Sequence, residues 1–370
     1  MRFLTIGLMA FLFAQSCFSA DVKTLEIGAK APNFDLPGVD DQNHRLSDFK
    51  DAEILVVLFT CNHCPTAQAY EDRIIQLHAD YSDKNVALVA ISPNSAEAVR
   101  LDELGYSDLG DSLDDMKIRA KDKGFKFPYL YDGKNQFVSK AFGVRATPHA
   151  YVFDKARRLR YVGRIDDNEI GPPKSHDLKN ALDALLAGEE VPNPKTRVFG
   201  CSTKWLDKIE SAKAAVEQWN NEEAELKLIK PSSLREKLTE KSENYRLVNV
   251  WATWCIPCVK EMDDLVQIHR MYRGRHFELI TVSADDKGRL KQAKKVLNDK
   301  HCSATNYLVD AESHDDLFDA VDPEWEGAVP YTAFISPEGK VIHRIHGEFD
   351  PQALRRKIVD HIGRTYADKK

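Results

Sequence analysis

Beyond its first twenty residues the chain has no run of about 18 apolar residues, so nothing there reads as a membrane-spanning helix. It also lacks a strong charge of either sign. Against 58 Asp and Glu stand 52 Lys and Arg, a net −6 over 370 residues, which gives no footprint for nucleic acid or an anionic lipid surface. Seven cysteines are too few for a chain of this length to depend on disulfide staples. Around Cys255 and Cys258 there is no second Cys or His pair at short spacing, which a zinc site would need. What remains, 43% hydrophobic and 30% charged residues, describes a soluble globular protein with length for two domains, each burying its own core.

The one apolar stretch of note is N-terminal. Met1-Arg2 precedes apolar residues from Phe3 to Ala14, then the small residues Ser16, Cys17, Ser19 and Ala20, the pattern of a secretory signal over residues 1–20. An exported, periplasmic or otherwise extracytoplasmic protein is therefore expected, with no stable membrane insertion after cleavage. Lipid anchoring through Cys17 fits less well, because Ala14-Gln15-Ser16 is a poor match to what precedes an acylated cysteine.

The strongest chemical signal is Trp251-Ala252-Thr253-Trp254-Cys255-Ile256-Pro257-Cys258-Val259-Lys260-Glu261. It follows the apolar run Leu247 to Val250 and opens a helical pattern through Met262, Leu265, Val266 and Ile268, so two cysteines sit where a strand becomes a helix. Unpaired N–H groups and the helix dipole favour a thiolate there, on Cys255, and Cys258 one turn later can resolve a mixed disulfide. Pro257 suits a first turn because its missing N–H is not needed. Trp-Cys-x-Pro-Cys followed by Glu261 resembles the TlpA/ResA branch of thioredoxin-like proteins over about the last 150 residues. The resemblance implies that Glu261 manages protons at the cysteines and that Trp254 and Pro257 support them.

The first half carries similar signs. Ile27 to Pro37, leading to Leu46-Ser47-Asp48-Phe49, resembles the opening of redoxin domains of the peroxiredoxin and TlpA-like lineages. A fully apolar strand, Ile54 to Phe59, ends on Thr60-Cys61-Asn62-His63-Cys64-Pro65. With Gly163-Arg164-Ile165-Asp166-Asp167 and Gly200-Cys201-Ser202-Thr203-Lys204-Trp205, this sequence resembles a redoxin-like (AhpC/TSA-like) group filed beside the peroxiredoxins. The peroxiredoxin pattern Pro-x-x-x-Thr-x-x-Cys is not met: three on from Thr60 is His63, and the Pro is absent. His63, beside Cys64, is expected to stabilise a Cys61 thiolate and make this pair the more oxidising of the two. Thr147-Pro148 and Val329-Pro330 each precede an apolar strand, and by resemblance Pro148 and Pro330 are cis and face their cysteine pairs.

Along the chain, helices are expected at Ser95–Leu104, at Asp177–Leu186, from Trp205 to Trp219, at Pro231–Leu238, at Lys287–Lys300 and at Pro351–Ile362, and a helix or a solvated loop over 111–123. Two prolines in Val191-Pro192-Asn193-Pro194 suggest a stiff connector. The expected architecture is α/β, two tandem thioredoxin-like folds, each a central mixed sheet flanked by helices: a redoxin domain over 21–188, a linker and bridging helix over 189–225, and a TlpA-like domain over 226–370. Cys61, Cys64, Cys255 and Cys258 are the expected catalytic residues of a thiol–disulfide oxidoreductase that needs no organic cofactor or metal. Its partners would be protein thiols or disulfides and an upstream thiol reductant. Cys201 has three open roles: resolving Cys61 or Cys64, pairing with Cys302, or staying free. Two other functions stay open, a thiol peroxidase recharged by the C-terminal domain and an N-terminal docking module with redox chemistry confined to the C-terminal domain.

Overall fold

The computed structural model describes residues 22–311 and 313–368; the expected signal segment and Cys17 lie outside them. After a hairpin of β1 (Asp35–Pro37) and β2 (Asn43–Arg45), the first unit's strands are β3 (Ile54–Phe59), β4 (Val86–Ser92), β5 (Tyr129–Tyr131), β6 (Ala146–Thr147), β7 (His149–Phe153) and β8 (Leu159–Gly163). All but β6 form one sheet in the order β5-β4-β3-β7-β8, with β3, β4 and β5 parallel and β7 and β8 antiparallel. Every residue of β3 is buried because both faces are covered. Val56 and Leu58 face α1 (Pro65–Tyr81) and a later helix, whereas Leu55, Val57 and Phe59 face Phe142 and Val144.

The remaining helices of this unit are α2 (Leu113–Lys123), α3 (Phe137–Phe142) and α4 (Asp177–Leu186). α4 has the expected bounds. Over 111–123 the structure has a helix, begun by Ser112 accepting from the Asp115 amide. The expected Ser95–Leu104 helix is instead two 3-10 turns, Ala96–Ala98 and Leu101–Leu104, broken by extended Val99 and Arg100. That break lets Leu101 and Leu104 pack on the core of the other unit.

The proline-rich stretch after α4 does more than connect. The Val162 amide donates to Pro194 O (2.9 Å), the Thr196 amide donates to Val162 O (3.0 Å), and β9 (Cys201–Ser202) pairs antiparallel with β6. The chain from 194 to 204 is thus built onto the first unit's sheet edge, and only then does α5 (Ile209–Asn220) leave it. Trp219 of α5 lies between Arg100 and Arg270, one from each unit, so this helix bridges them.

The second unit runs β10 (Lys227–Ile229), α6 (Pro231–Thr239), β11 (Tyr245–Trp251), α7 (Ile256–Tyr272), β12 (Phe277–Ser283), α8 (Leu290–Asp299), β13 (Thr305–Val309), α9 (His314–Val321), β14 (Tyr331–Ile335), β15 (Val341–His346) and α10 (Pro351–Ile362). Its sheet has the order β10-β13-β12-β11-β14-β15. α6 and α10 fall where helical spacing puts them. The basic stretch from Lys287 is a 3-10 turn followed by α8, whose Ala293 and Leu297 are buried while its lysines face outward. The two units share the thioredoxin-like core of parallel strands closed by an antiparallel pair after a proline; Thr147-Pro148 and Val329-Pro330 are both cis.

Candidate functional site

Cys255 and Cys258 are joined by a disulfide at the start of α7. Cys255 is the N-cap: its sulfur accepts the Cys258 amide at 3.3 Å, one of the donors a helix leaves unpaired. Cys258 is wholly buried and Cys255 is 5% exposed, whereas the flanking Trp254 and Ile256 are 59% and 82% exposed. An apolar rim of this kind around a sulfur–sulfur bond suits docking of another polypeptide. The approach to the cap is fixed by Asp285, a residue the sequence reading missed, which accepts from the Thr253 amide (2.8 Å) and hydroxyl (2.6 Å).

Glu261 lies one turn beyond Cys258. Rather than being exposed it is buried, and its Oε1 accepts from Asn249 Nδ2 at 2.9 Å. Burial outweighs the donations of Asn249 and Phe349 and pushes its pKa up to about 7. Trp325 stacks on Tyr331 beside Pro330 and is 3% exposed, filling the space under that turn.

In the first unit the fold repeats but the cysteines do not. Phe59 of β3 pairs with His149, which follows Pro148; Val250 of β11 pairs with Tyr331, which follows Pro330. Counting five residues on from each paired strand position gives Cys64 in one unit and Cys255 in the other. The helix caps agree, since Cys64 is the N-cap of α1 as Cys255 is of α7, and the Ala67 amide supports the Cys64 sulfur as the Cys258 amide supports Cys255. Cys61 therefore stands at the place of Ala252, and Ala67 at the place of Cys258. The two Cys-x-x-Cys pairs are offset by three residues, and Cys61 lies ahead of the helix.

The thiol at the place of Cys258 is missing, but a third one approaches from elsewhere. β9 lays Cys201 directly opposite Thr147, and its side chain packs on Cys61 and Cys64. Cys61 Sγ lies 3.1 Å from Thr147 Oγ1, and Cys64 Sγ lies 3.5 Å from Thr147 O. Burial opposes a Cys64 thiolate, yet hydrogen bonds from Cys201, Cys61 and the Ala67 amide, with the charge of His63, hold its pKa well below the usual thiol value. Burial and the competing Cys64 push Cys61 up. The imidazole thus favours Cys64, not Cys61 as the sequence suggested.

His63 is 1% exposed, and Nδ1 lies 2.6 Å from Asp111 Oδ2. Burial disfavours its cation, but Asp111 raises its pKa overall. Asp111 also accepts from the amides of Asn62 and His63 and from Asn94 Nδ2. Cys61, His63 and Asp111 offer ligand atoms within 4.8 Å of one another, the set best placed for a metal ion among the described residues. Asp111 already takes four donors, while His63 Nε2 is buried without a hydrogen-bond partner. Cys302 does not join Cys201: it is buried in the second unit's core, its thiol 3.5 Å from Asn306 Oδ1.

No helix among the described residues is long and apolar enough to cross a membrane. The chain is 23% identical over 178 residues to a thiol-disulfide oxidoreductase ResA of Bacillus thuringiensis (strain Al Hakam), covering 48% of this chain and 87% of that protein. It is 30% identical over 100 residues to the ResA of Bacillus subtilis (strain 168), covering 27% and 51%. Among solved structures, an uncharacterized conserved protein from Geobacillus kaustophilus is 38% identical, with 49% of this chain and 92% of that one covered and a TM-score of 0.44. A hypothetical protein from Sinorhizobium meliloti 1021 is 33% identical, with 50% and 96% covered and the same TM-score. One family model matches twice, over residues 27–162 and 222–344, once in each unit. With both units matched, the chain belongs to the AhpC/TSA family, as a tandem thioredoxin-like protein.

Proposed function

We propose that this chain is an exported thiol–disulfide oxidoreductase that exchanges dithiols and disulfides with protein substrates, through Cys255 and Cys258 in the second unit and the thiols around Cys61 and Cys64 in the first. The observation that carries the reading is a disulfide capping α7 beneath exposed Trp254 and Ile256. The names of the ResA relatives agree with it.

In the reduced state the Cys258 amide and the helix N-terminus favour a Cys255 thiolate, which attacks a substrate disulfide; the substrate's leaving sulfur departs as thiolate. Cys258 then displaces the substrate from Cys255, closing the internal disulfide, and its proton passes toward Glu261, a buried carboxylate whose pKa suits accepting one near neutrality. An upstream thiol reductant reopens the pair. Electrons relayed between the two units would link the two centres.

Cys255→Ser should abolish reduction of a protein disulfide such as insulin, and Cys258→Ser should accumulate a mixed disulfide with the substrate on Cys255. Full activity in Cys255→Ser would overturn the assignment.

A second reading, peroxide reduction, is favoured by one feature: Cys64 is completely buried yet supported as a thiolate, a setting open to a small oxidant more readily than to a polypeptide. It predicts hydroperoxide consumption that Cys64→Ser abolishes and that needs Cys255 for turnover. If Cys61→Ser and Cys64→Ser both leave all redox activity intact, the first unit is a docking module.

A further inference from the structure

We propose that the working disulfide of the first unit forms between Cys64 and Cys201, with Cys61 as a flanking thiol outside the exchanged pair. This rests on the oxidoreductase reading and specifies its first centre.

Three observations converge on the pairing. First, the strand register that equates Cys64 with Cys255 leaves Ala67 where the resolving cysteine of the second unit stands, so the local partner is absent from α1. Second, β9 supplies a replacement from about 137 residues further along the chain, pairing Cys201 with Thr147 and packing its side chain on Cys64. That strand is secured on its far side: the Lys204 amide donates to Asn94 Oδ1 at 2.8 Å, Gln136 Nε2 donates to Lys204 O at 2.8 Å, and Lys204 pairs with Glu103. Third, the exposures differ. Cys61 and Cys64 are 2% and 0% exposed, whereas Cys201 is only partly buried, so a bond to Cys201 is more open to an incoming thiolate than one between Cys61 and Cys64.

The chemistry then has a direction. An incoming thiolate of a dithiol attacks the Cys201 sulfur; the Cys64–Cys201 bond breaks, and Cys64 leaves as a thiolate stabilised at the N-terminus of α1. The second thiol of the donor displaces Cys201, which takes up a proton, and the donor ends as a disulfide. Two electrons pass to the first unit. Stabilising the Cys64 thiolate at the start of α1 favours the reduced form of this centre. Tyr366, at the C-terminal end of the second unit, packs edge-on against Tyr106, and burial first, then charge on Cys201 and Cys64, pushes its pKa up to about 12.

The test oxidises the full chain with diamide, blocks remaining thiols with N-ethylmaleimide, digests with trypsin and maps cross-linked peptides by mass spectrometry. A link between the peptide carrying Cys61 and Cys64 and the peptide carrying Cys201 is expected in wild type, unchanged in Cys61→Ser and lost in Cys201→Ser. An internal Cys61–Cys64 bond with Cys201 alkylated in the wild type overturns the proposal, as does loss of the link in Cys61→Ser. Insulin reduction, measured with dithiothreitol on untreated protein of the same preparations, keeps the two claims apart. Its absence in wild type would remove the oxidoreductase reading, whatever bond the map shows.

Discussion

Glu261 shows how a single buried carboxylate ties stability to chemistry. Its folded pKa of about 7 lies above the ordinary glutamate value, so between that value and about 7 the folded chain keeps a proton that the unfolded chain has released. The stabilising contribution is complete at low pH and is lost as pH rises through about 7. Glu261→Gln, which cannot ionise, should be relatively more stable than wild type at pH 8 than at pH 5 in urea titrations. The same variant should lose an inflection near pH 7 in the rate of disulfide reduction at Cys255–Cys258; an unchanged profile would assign the inflection to another group. The placement of Cys255 and Cys258 at the start of α7 was legible because a Cys-x-x-Cys run between an apolar strand and a helical pattern is a local signal. Asp285 and Asp111 were not, because each reaches its amide partners across 32 and 48 or 49 residues of chain, and neither neighbourhood marks it out.

At the scale of elements, sequence spacing placed α4, α6 and α10 because each is a plain amphipathic run with a clear stop or start. It failed at β9. Two residues form no hydrophobic period, and the prolines before them suggested a tether rather than a returning strand. The offset of the two cysteine pairs was hidden for a related reason: both have the same spacing, and only strand pairing shows that one precedes its helix and the other enters it. The close approach of β9 has its own requirement. Gly200 has φ +133°, and a Cβ there would sit 2.1 Å from Thr147 O. Gly200→Ala should therefore push Cys201 off β6, costing about 1–3 kcal/mol of stability in chemical denaturation. It should also lower the yield of the Cys64–Cys201 cross-link while leaving Cys255–Cys258 exchange intact. A cross-link at wild-type yield would mean that β9 tolerates the added methyl by moving elsewhere.

For the whole molecule, the decisive segment is the insertion between β4 and α2, since it touches both the first unit's thiol network and the body of the second unit. Its two ends meet in the first unit, where Asn94 donates to Asp111 and Asp111 holds His63; its middle lies on the second unit, where Tyr272 donates to Ser107 O (2.9 Å) and Arg275 donates to Gly105 O (2.6 Å). Asp108, 1% exposed, is the charged pin of this contact: Arg356 of α10 reaches it at 3.0 Å, and Arg364 and Gln352 bind it as well. Burial works against its charge, but Arg364 and Arg356 hold its pKa below the ordinary aspartate value. The contact is therefore fully formed above the normal carboxylate range and is lost as pH falls through the depressed folded value. Asp108→Ala would leave Arg356 and Arg364 with only their outer partners, Asp122 and Asp360, and remove the buried acceptor both share, at a cost of about 2 kcal/mol or more. The expected result is earlier tryptic cleavage within 99–110 than in wild type. If the insertion also positions Asp111, thiol-specific alkylation of Cys64 should become faster in the same variant. Faster cleavage with unchanged Cys64 reactivity would separate the middle of the segment from its ends and leave the interface as a hinge without influence on the first unit's thiols.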